Sequence, residues 1–457
     1  MPAHFLSVDD AILLLLRRRP GAGAADLMRE SQISQATLSR RLTGLGEQVL
    51  PLGQGRARRY FATRRLRSGQ HRLAVYEVNQ EGQAKSLVPI TLLAPEGTHW
   101  SAPSGWPMDA DAAKGVWPGL PYALQDMRPQ GFLGRAFAQQ WARELGVPAN
   151  PREWHDDDVL YVLEQRGHDM PGNLIVGEPA LQRWLNEQAT APRIWQTEER
   201  EQAYNDLAMA VVHQGAAGSS AGGEFPKFTT LRASASSQTP HVIVKFSSSD
   251  ASGAAQRWRD LLVCEHLALV CLQEKGFPTA RTQLLHASQR TFLEIERFDR
   301  HGLWGRSPLV SLQSINDAFF GKAQADWGAH AQTLLAQSWI SQETARQMQW
   351  LWLFGCLIGN TDMHQGNLSF VPTTMLQIAP VYDMLPMLYA PLSSGEVPTP
   401  VFTPSPAPPG LQPIWREACE AACLYWQRCA QSPWVSASFA TICMQNHQSL
   451  VERLERV

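Results

Sequence analysis

Side chains suited to chemistry on a phosphate group lie near the end of the chain. Asp362 and Asn367 are five residues apart, directly after a strongly apolar stretch, and Asp383 follows sixteen residues later. A carboxylate can orient an attacking hydroxyl group, while an amide oxygen and a second carboxylate are ligands that Mg²⁺ accepts. The spacing predicts phosphoryl transfer, although Asn360 and Asp362 could instead form only an Asx turn.

The same Asp–Asn spacing occurs in the catalytic loop of protein kinases, where a downstream Asp also binds metal. Upstream features follow in kinase order. Small residues at 215–223 would let backbone amides approach phosphate oxygens, although a flexible linker has a similar composition. A β-branched strand ends near Lys245, which could bind phosphates or be a solvated edge residue. In the predicted helix 258–275, Glu265 lies among leucines and needs a partner; Lys245 is the natural one.

Charge divides the 457-residue chain unevenly. Residues 1–70 carry twelve Lys or Arg against five Asp or Glu, whereas the rest carries 28 against 37. A basic module on an acidic body indicates that only the N-terminal piece meets nucleic acid. The apolar run near the N-terminus is stopped by Arg17, far short of a membrane span or signal peptide. We therefore expect a cytoplasmic protein without membrane contact.

The first 66 residues have the element order of a winged helix-turn-helix. Ser7 and Ser34 are predicted helix caps, and Pro20 ends the first helix. The third helix and the basic hairpin after it present outward-facing residues suited to base edges and phosphates. These candidate DNA-binding residues are Gln35, Thr37, Ser39, Arg40, Arg41, Arg56, Arg58 and Arg59. A small helical protein-docking module with a solvated basic face is the alternative.

Between this segment and the kinase-like half, residues 71–100 alternate apolar and polar side chains and predict short paired strands. The acidic run at residues 156–158 could hold a metal but is better explained as the start of a helix. Seven scattered cysteines predict reduced, packed thiols rather than a zinc site. The Pro-rich stretch 391–413 predicts an extended excursion, either a substrate-receiving segment or a plain surface loop.

Together, these motifs resemble the HipA family of bacterial serine/threonine kinase toxins over residues 70–457. The resemblance rests on the runs 220–227, 296–300 and 359–367, on Lys245 and on Tyr382-Asp383. It implies an α+β, protein-kinase-like, two-lobed HipA fold that uses ATP and Mg²⁺. Family members are usually held by a separate DNA-binding antitoxin. This chain carries its own winged helix, like a lone HipA-like subgroup, so the need for a separate antitoxin is open.

The resemblance also assigns roles by position. Asp362 would be the catalytic base or hydroxyl-orienting group, and His364 would orient its loop. Asn367 and Asp383 would hold Mg²⁺. ATP would be bound by Lys245, Glu296, Phe298, Gly222, Gly223 and Lys227. Ser220, or its neighbour Ser219, would be autophosphorylated, which in the family switches the kinase off, because added negative charge repels the ATP phosphates.

We therefore expect four parts: the winged helix-turn-helix at 1–66, a β-rich subdomain at 70–195, an ATP-binding small lobe at 196–300 and a helical catalytic lobe at 301–457. The expected activity is phosphorylation of a protein needed for growth, with the translation machinery as one candidate class. Two other functions remain open. One is a DNA-binding transcription regulator with an inactive kinase-like body, and the other is a metal-dependent nuclease.

Overall fold

A computed structural model describes residues 7–101, 105–213, 225–323 and 326–456. Within these ranges, helices and mostly antiparallel strands follow one another in four groups, giving an α+β fold. None of the helices in the described ranges is long and apolar enough to cross a membrane.

The N-terminal module, residues 7–62, contains three helices and a three-stranded antiparallel sheet in the order β1-β3-β2. Its elements are α1 Val8–Arg18, β1 Ala22–Gly23, α2 Ala24–Ser31, α3 Gln35–Leu45, β2 Val49–Leu52 and β3 Arg59–Ala62. Ser7 and Ser34 cap α1 and α3 by accepting hydrogen bonds from backbone amides three residues on. A small core of its own, including Leu16, Leu27 and Leu38, holds the module together.

The middle module, residues 72–188, is built from two antiparallel sheets and four helices, in the strand orders β10-β5-β6 and β4-β7-β8-β9. Its strands are β4 Arg72–Leu73, β5 Val75–Val78, β6 Ala84–Ser86, β7 Ile90–Leu92, β8 Thr98–His99, β9 Val116–Trp117 and β10 Leu174–Val176. Its helices are α4 Tyr122–Gln125, α5 Gly131–Leu145, α6 Asp156–Arg166 and α7 Glu178–Gln188.

The acidic run 156–158 fastens the chain after the N-terminal module to α6. Asp157 lies 2.8 Å from Arg64, and Asp158 pairs with Arg67. Asp158 also completes the capping box at the start of α6, as the sequence predicted. The arginine partners were missed because they lie about ninety residues away in the chain.

The small lobe, residues 200–306, contains a four-stranded antiparallel sheet in the order β11-β12-β14-β13, between α8 and α9. Its elements are α8 Arg200–His213, β11 Lys227–Leu231, β12 His241–Phe246, α9 Gly253–Glu274, β13 Thr282–Ala287, β14 Arg290–Glu296, β15 Arg300–His301 and β16 Gly305–Arg306. Because strand side chains alternate, Val242 and Val244 pack with α8, whereas Lys245 and its cross-strand partner Leu293 face α9.

The large lobe, residues 310–454, is mainly helical. Its elements are β17 Val310–Ser311, α10 Leu312–Phe319, α11 Trp327–Ala336, α12 Gln342–Leu357, β18 Ser369–Val371, β19 Gln377–Ile378, α13 Gln412–Gln431 and α14 Ala437–Leu454. The Pro-rich stretch has no helix or strand from 391 to 411, but α13 already begins at Gln412, so the predicted loop ends two residues early. The stretch is also anchored, since Phe402 is buried against Trp426.

The cysteines behave as packed thiols. All seven are free, and all but Cys356 are buried. Across the ranges that the structure describes, no group of three or more His, Cys, Asp or Glu could hold a metal ion.

Candidate active site

A buried lysine shared by two carboxylates lies where the small and large lobes meet. Lys245 Nζ, on β12, donates to both carboxylate oxygens of Glu265 on α9, each at 2.7 Å. It also donates to Asp383 of the large lobe. Lys245 and Glu265 are almost fully buried, and the Asp383 side chain is 29% exposed. The partnership of Lys245 with Glu265 was predicted, whereas the direct contact with Asp383 was not.

Local charges determine which of these groups are ionised. Burial raises the pKa of Asp383, but the charges of Lys245 and Lys227 outweigh it, so its pKa lies below the usual value. Burial by itself lowers the pKa of Lys245, but the two carboxylates raise it overall. Burial raises the pKa of Glu265 in spite of Lys245. An ionised Asp383 beside a protonated Lys245 is thus the stable arrangement.

The backbone of Asp383 is held in an uncommon conformation. Its φ is +53°, in the left-handed region that few residues other than glycine adopt. The preceding residue fixes this turn, because the Tyr382 hydroxyl donates to the carbonyl of Gly366 at 2.8 Å and lies 2.8 Å from Ser369 Oγ. Such strain persists where surrounding contacts determine the conformation, and it is frequent at functional sites.

The run 359–367 forms a compact loop around Asp362. The Asn367 side chain donates from Nδ2 to the carbonyl of Asp362 at 2.8 Å, which leaves its Oδ1 directed elsewhere. The Asp362 amide donates to Asn360 Oδ1 at 3.0 Å, so the Asx turn weighed from the sequence is present. His364 Nδ1 accepts from the Gly366 amide at 3.0 Å. The Asp362 side chain is exposed, so a substrate could reach it.

Two helices of the large lobe, α11 and α12, contact this loop. α12 is buried along most of its length, and near its end Gly355 lies so close to Met363 that a Cβ there would be 2.1 Å from Met363 Sδ and would displace that side chain. The indole of Trp327, on α11, donates to the carbonyl of His364 at 3.3 Å. No sequence pattern pointed to Trp327, because α11 meets the loop only through the tertiary fold.

The remaining predicted ATP residues occupy different positions. Lys227 is the cross-strand partner of Lys245 and lies on the same face of the sheet. Phe298 stacks on Tyr382, with ring centres 5.8 Å apart, beside Asp383. Glu296 lies on the opposite face, where its carboxylate binds Arg232 at 2.6 Å. Because this side chain is engaged elsewhere, the predicted contact between Glu296 and adenine would have to use the Glu296 backbone. That contact stays a prediction.

The glycines of the predicted phosphate loop, Gly222 and Gly223, lie outside the described residues, and so do the predicted autophosphorylation residues Ser219 and Ser220. The described part of the small lobe resumes at Phe225, whose ring lies 4.5 Å from that of Trp258 at the start of α9. Lys245 Nζ lies 5.6 Å from the same Phe225 ring. Phe225 therefore lies beside the lysine.

A second candidate surface lies on the N-terminal module. Of the predicted DNA-binding residues on α3 and the β2–β3 hairpin, the exposed ones are Gln35, Ser39, Arg40, Arg41, Arg56, Arg58 and Arg59. Thr37 is half-buried, next to the capping side chain of Ser34. Arg41 lies 3.5 Å from Asp9, so one of the arginines is partly neutralised. The predicted outward orientation of α3 is therefore present, with Thr37 least accessible.

Replacing Lys245 by Met should destabilise the protein in a pH-dependent way. The change leaves Glu265 and Asp383 without their shared cation, at a cost of about 3–5 kcal/mol near pH 7. In the wild type, the pKa of Asp383 is lower in the folded than in the unfolded protein. The resulting stabilisation is fully present at pH values above the unfolded-state pKa and is lost as the pH falls through the folded-state pKa. In Lys245→Met, burial still raises the pKa of both carboxyl groups while the opposing charge of Lys245 is gone, so the deficit should shrink as acid protonates them.

Urea unfolding at pH 7.5 and pH 5, followed by tryptophan fluorescence, measures this difference. Lys114→Met is the control, because Lys114 is an exposed lysine paired with Asp111, and it should leave the free energy of unfolding unchanged. A Lys245→Met deficit equal to that of the control, or one that does not vary with pH, would contradict the shared ion pair.

Known proteins resemble this chain over most of its length. The family model described as the YjjJ-like toxin middle domain matches residues 69–185, and the HipA-like C-terminal domain matches residues 219–405. Toxin YjjJ of Escherichia coli K12 is 36% identical over 436 residues, which cover 95% of this chain and 96% of that protein.

Solved structures are more distant in sequence. HipA of Shewanella oneidensis MR-1, solved in complex with HipB and its operator DNA, aligns with a TM-score of 0.50 at 15% identity over 83% of this chain and 97% of its own. The proinflammatory kinase CtkA of Helicobacter pylori aligns at 0.35 and 15% identity over 50% of this chain and 87% of its own, a score too low to establish a shared fold. The chain has the two-lobed, kinase-like α+β fold of HipA, and with its close likeness to YjjJ it belongs to the YjjJ-like toxins of the HipA family.

Proposed function

We propose that this toxin is an ATP- and Mg²⁺-dependent serine/threonine protein kinase. The observation that carries the proposal is the buried Lys245, bound to Glu265 and Asp383, beside a loop that presents Asp362. An ion pair so deeply buried contributes little net stability, so its presence is better explained by a role in binding phosphates.

Asp362 would align the hydroxyl group of a protein substrate with the γ-phosphate and receive its proton. Its exposure suits this task, because a whole protein must reach it. Positioning and charge neutralisation account for most of the catalysis in phosphoryl transfer, since the protein itself forms few covalent bonds in the reaction. The rigid base of α12 and Trp327 would keep Asp362 in place during the transfer.

The residues present fit a magnesium ion. Asn367 commits its amide nitrogen to the Asp362 carbonyl, so the oxygen is the atom available to a cation, and Asp383 is held ionised. One carboxylate, one amide oxygen and the substrate phosphates form the kind of incomplete protein shell that Mg²⁺ prefers. Bound there, the ion would neutralise charge on the ATP phosphates.

Lys245 would then exchange one partner for another. Two carboxylates share one ammonium group in the structure. With Asp383 engaged by the metal, Lys245 could bind the phosphates while it keeps its hydrogen bonds to Glu265. Those bonds would hold its ammonium group in position. Lys227, on the same face of the sheet, adds a second positive charge near the site. Adenine would lie near Glu296 and Phe298, where the chain leads from the small lobe into the large lobe.

We further propose that the N-terminal module is a winged helix-turn-helix that binds DNA. The exposed arginines on α3 and at the hairpin support this proposal. The Shewanella HipA structure contains HipB and operator DNA. In this chain a fused module would supply the DNA contact, without a separate antitoxin being required for it. The phosphorylated target would be a protein needed for growth, with components of translation as candidates.

Incubation with labelled ATP and Mg²⁺ should label the wild-type protein. Asp362→Asn and Asp383→Asn should each lower the labelling rate by about a hundredfold or more, because each removes an essential group. Glu417→Gln is a matched control in the same lobe, since Glu417 pairs with Arg346 on the surface. Peptide mapping should place the phosphate on Ser220 or Ser219, and Ser220→Ala should remove most of it.

Equal label on the wild type and on Asp362→Asn would refute the kinase. An unlabelled wild type that still binds DNA would favour the regulator with an inactive body. Plasmid cleavage without ATP that requires Asp383 would favour a nuclease. Label confined to residues outside 214–224 would refute only the position of autophosphorylation.

DNA binding by the full-length protein should weaken steeply as salt rises, because arginine–phosphate contacts release counterions. The double variant Arg40→Ala, Arg58→Ala should lower affinity for a random-sequence duplex and reduce the slope of log K against log salt by about 2. Arg152→Ala with Arg416→Ala is the control, since both residues are exposed but lie outside the N-terminal module. Equal slopes for the two variants would contradict binding through α3 and the hairpin.

A further inference from the structure

The middle module grips the segment that leads from the small lobe into the large lobe. Asp169 Oδ1, just after α6, accepts from Arg297 Nη1 at 3.1 Å and from Arg300 Nη2 at 2.9 Å. The amide of Gly172 donates to Asp299 Oδ2 at 3.0 Å, and the carbonyl of Gly172 accepts from Arg300 at 3.0 Å. Residues 169–172 and 297–300 are thus bound to each other through side chains and backbone.

Charge makes this grip dependent on Asp169. The buried guanidinium groups of Arg297 and Arg300 share the carboxylates of Asp169 and Asp299, and the buried Arg306 donates to the carbonyl of His168 nearby. Asp299 belongs to the same segment as the arginines, so only Asp169 brings a carboxylate from the middle module. Its side chain is 49% exposed and borders a cavity of 370 Å³. A substitution at Asp169 therefore disturbs the packing less than one at the buried arginines.

The gripped segment contains Phe298. Its neighbours on both sides, Arg297 and Asp299, are held by the contacts just described, and its own ring stacks on Tyr382 beside Asp383. Any displacement of residues 297–300 would therefore move the ring that stacks on Tyr382, the residue before the candidate metal ligand Asp383. The middle module is thus connected to Phe298 through the residues on either side of it.

The same module also holds the large lobe. The carboxylate of Asp126, after α4, accepts from the amide and hydroxyl of Ser311 at 2.6 Å and from the Ser314 hydroxyl at 2.8 Å. Ser311 and Ser314 lie at the start of α10, and the Leu312 amide donates to the carbonyl of Leu368, next to the catalytic loop. One module therefore contacts both sides of the cleft.

We propose that the middle module is a clamp between the two lobes and that Asp169 is a positioning residue for ATP. The inference rests on the proposed kinase function, because it assigns the nucleotide to the cleft beside Phe298. Without Asp169, the segment 297–300 would lose its charged link to the middle module and adopt several positions. ATP would then have to order the segment on binding, which lowers its affinity without altering Asp362.

Kinetics of the full-length protein test the positioning role. Asp169→Asn, which removes the charge but keeps the size, should raise KM for ATP by about fivefold and leave kcat within about twofold. Asp169→Glu restores the carboxylate and should recover most of the affinity. Asp111→Asn is the control, an exposed carboxylate of the same module that pairs with Lys114, and it should change neither constant.

Hydrogen–deuterium exchange without nucleotide tests the clamp independently of activity. Amides in 297–302 should exchange faster in Asp169→Asn than in the wild type or Asp111→Asn, while those of α12 stay unchanged. Unchanged exchange, or an unchanged KM in a protein that uses ATP, would overturn the inference. A wild type that uses no ATP would overturn the kinase proposal and the positioning role together, while exchange would still decide whether the clamp exists.

Discussion

One buried ammonium group between two carboxylates determines how the two lobes meet. Lys245 comes from the small-lobe sheet, Glu265 from α9 and Asp383 from the large lobe. Leaving any one of these charges unpaired in this buried setting would cost several kcal/mol. The register of the small-lobe sheet, the position of α9 and the turn at Asp383 therefore depend on one another. Each must bring its charge to the same point, and the left-handed backbone of Asp383 is part of what this requires.

The site is also supported from outside the two lobes. Asp169 and Asp126 of the middle module contact residues 297–300 and the start of α10, respectively, so the cleft is bordered on both sides by a part of the chain that contributes no candidate catalytic residue. The acidic run 156–158 of the same module holds the segment after the N-terminal module through Arg64 and Arg67. Contacts therefore run from the segment after the N-terminal module through the middle module to the cleft.

Local patterns predicted much of this structure. Serine caps placed α1 and α3, β-branched residues indicated the strand that ends near Lys245, and a carboxylate within the apolar face of α9 indicated a partner for that lysine. Contacts between distant segments could not be predicted in this way. The pairing of Asp169 with Arg297, the opposite orientation of the Glu296 side chain and the support from Trp327 all depend on how elements pack. A single sequence does not contain that information as a pattern, since the partners are dozens of residues apart.

We propose that Asp383, once released from Lys245, binds the Mg²⁺ that accompanies ATP. Calorimetric titration with a non-hydrolysable ATP analogue, with Mg²⁺ and with EDTA, tests this role of Asp383. We expect Mg²⁺ to tighten binding to the wild type by about tenfold or more, and to have little effect on Asp383→Asn. Equal affinities with and without Mg²⁺ in the wild type, or an equal magnesium effect in Asp383→Asn, would contradict the account.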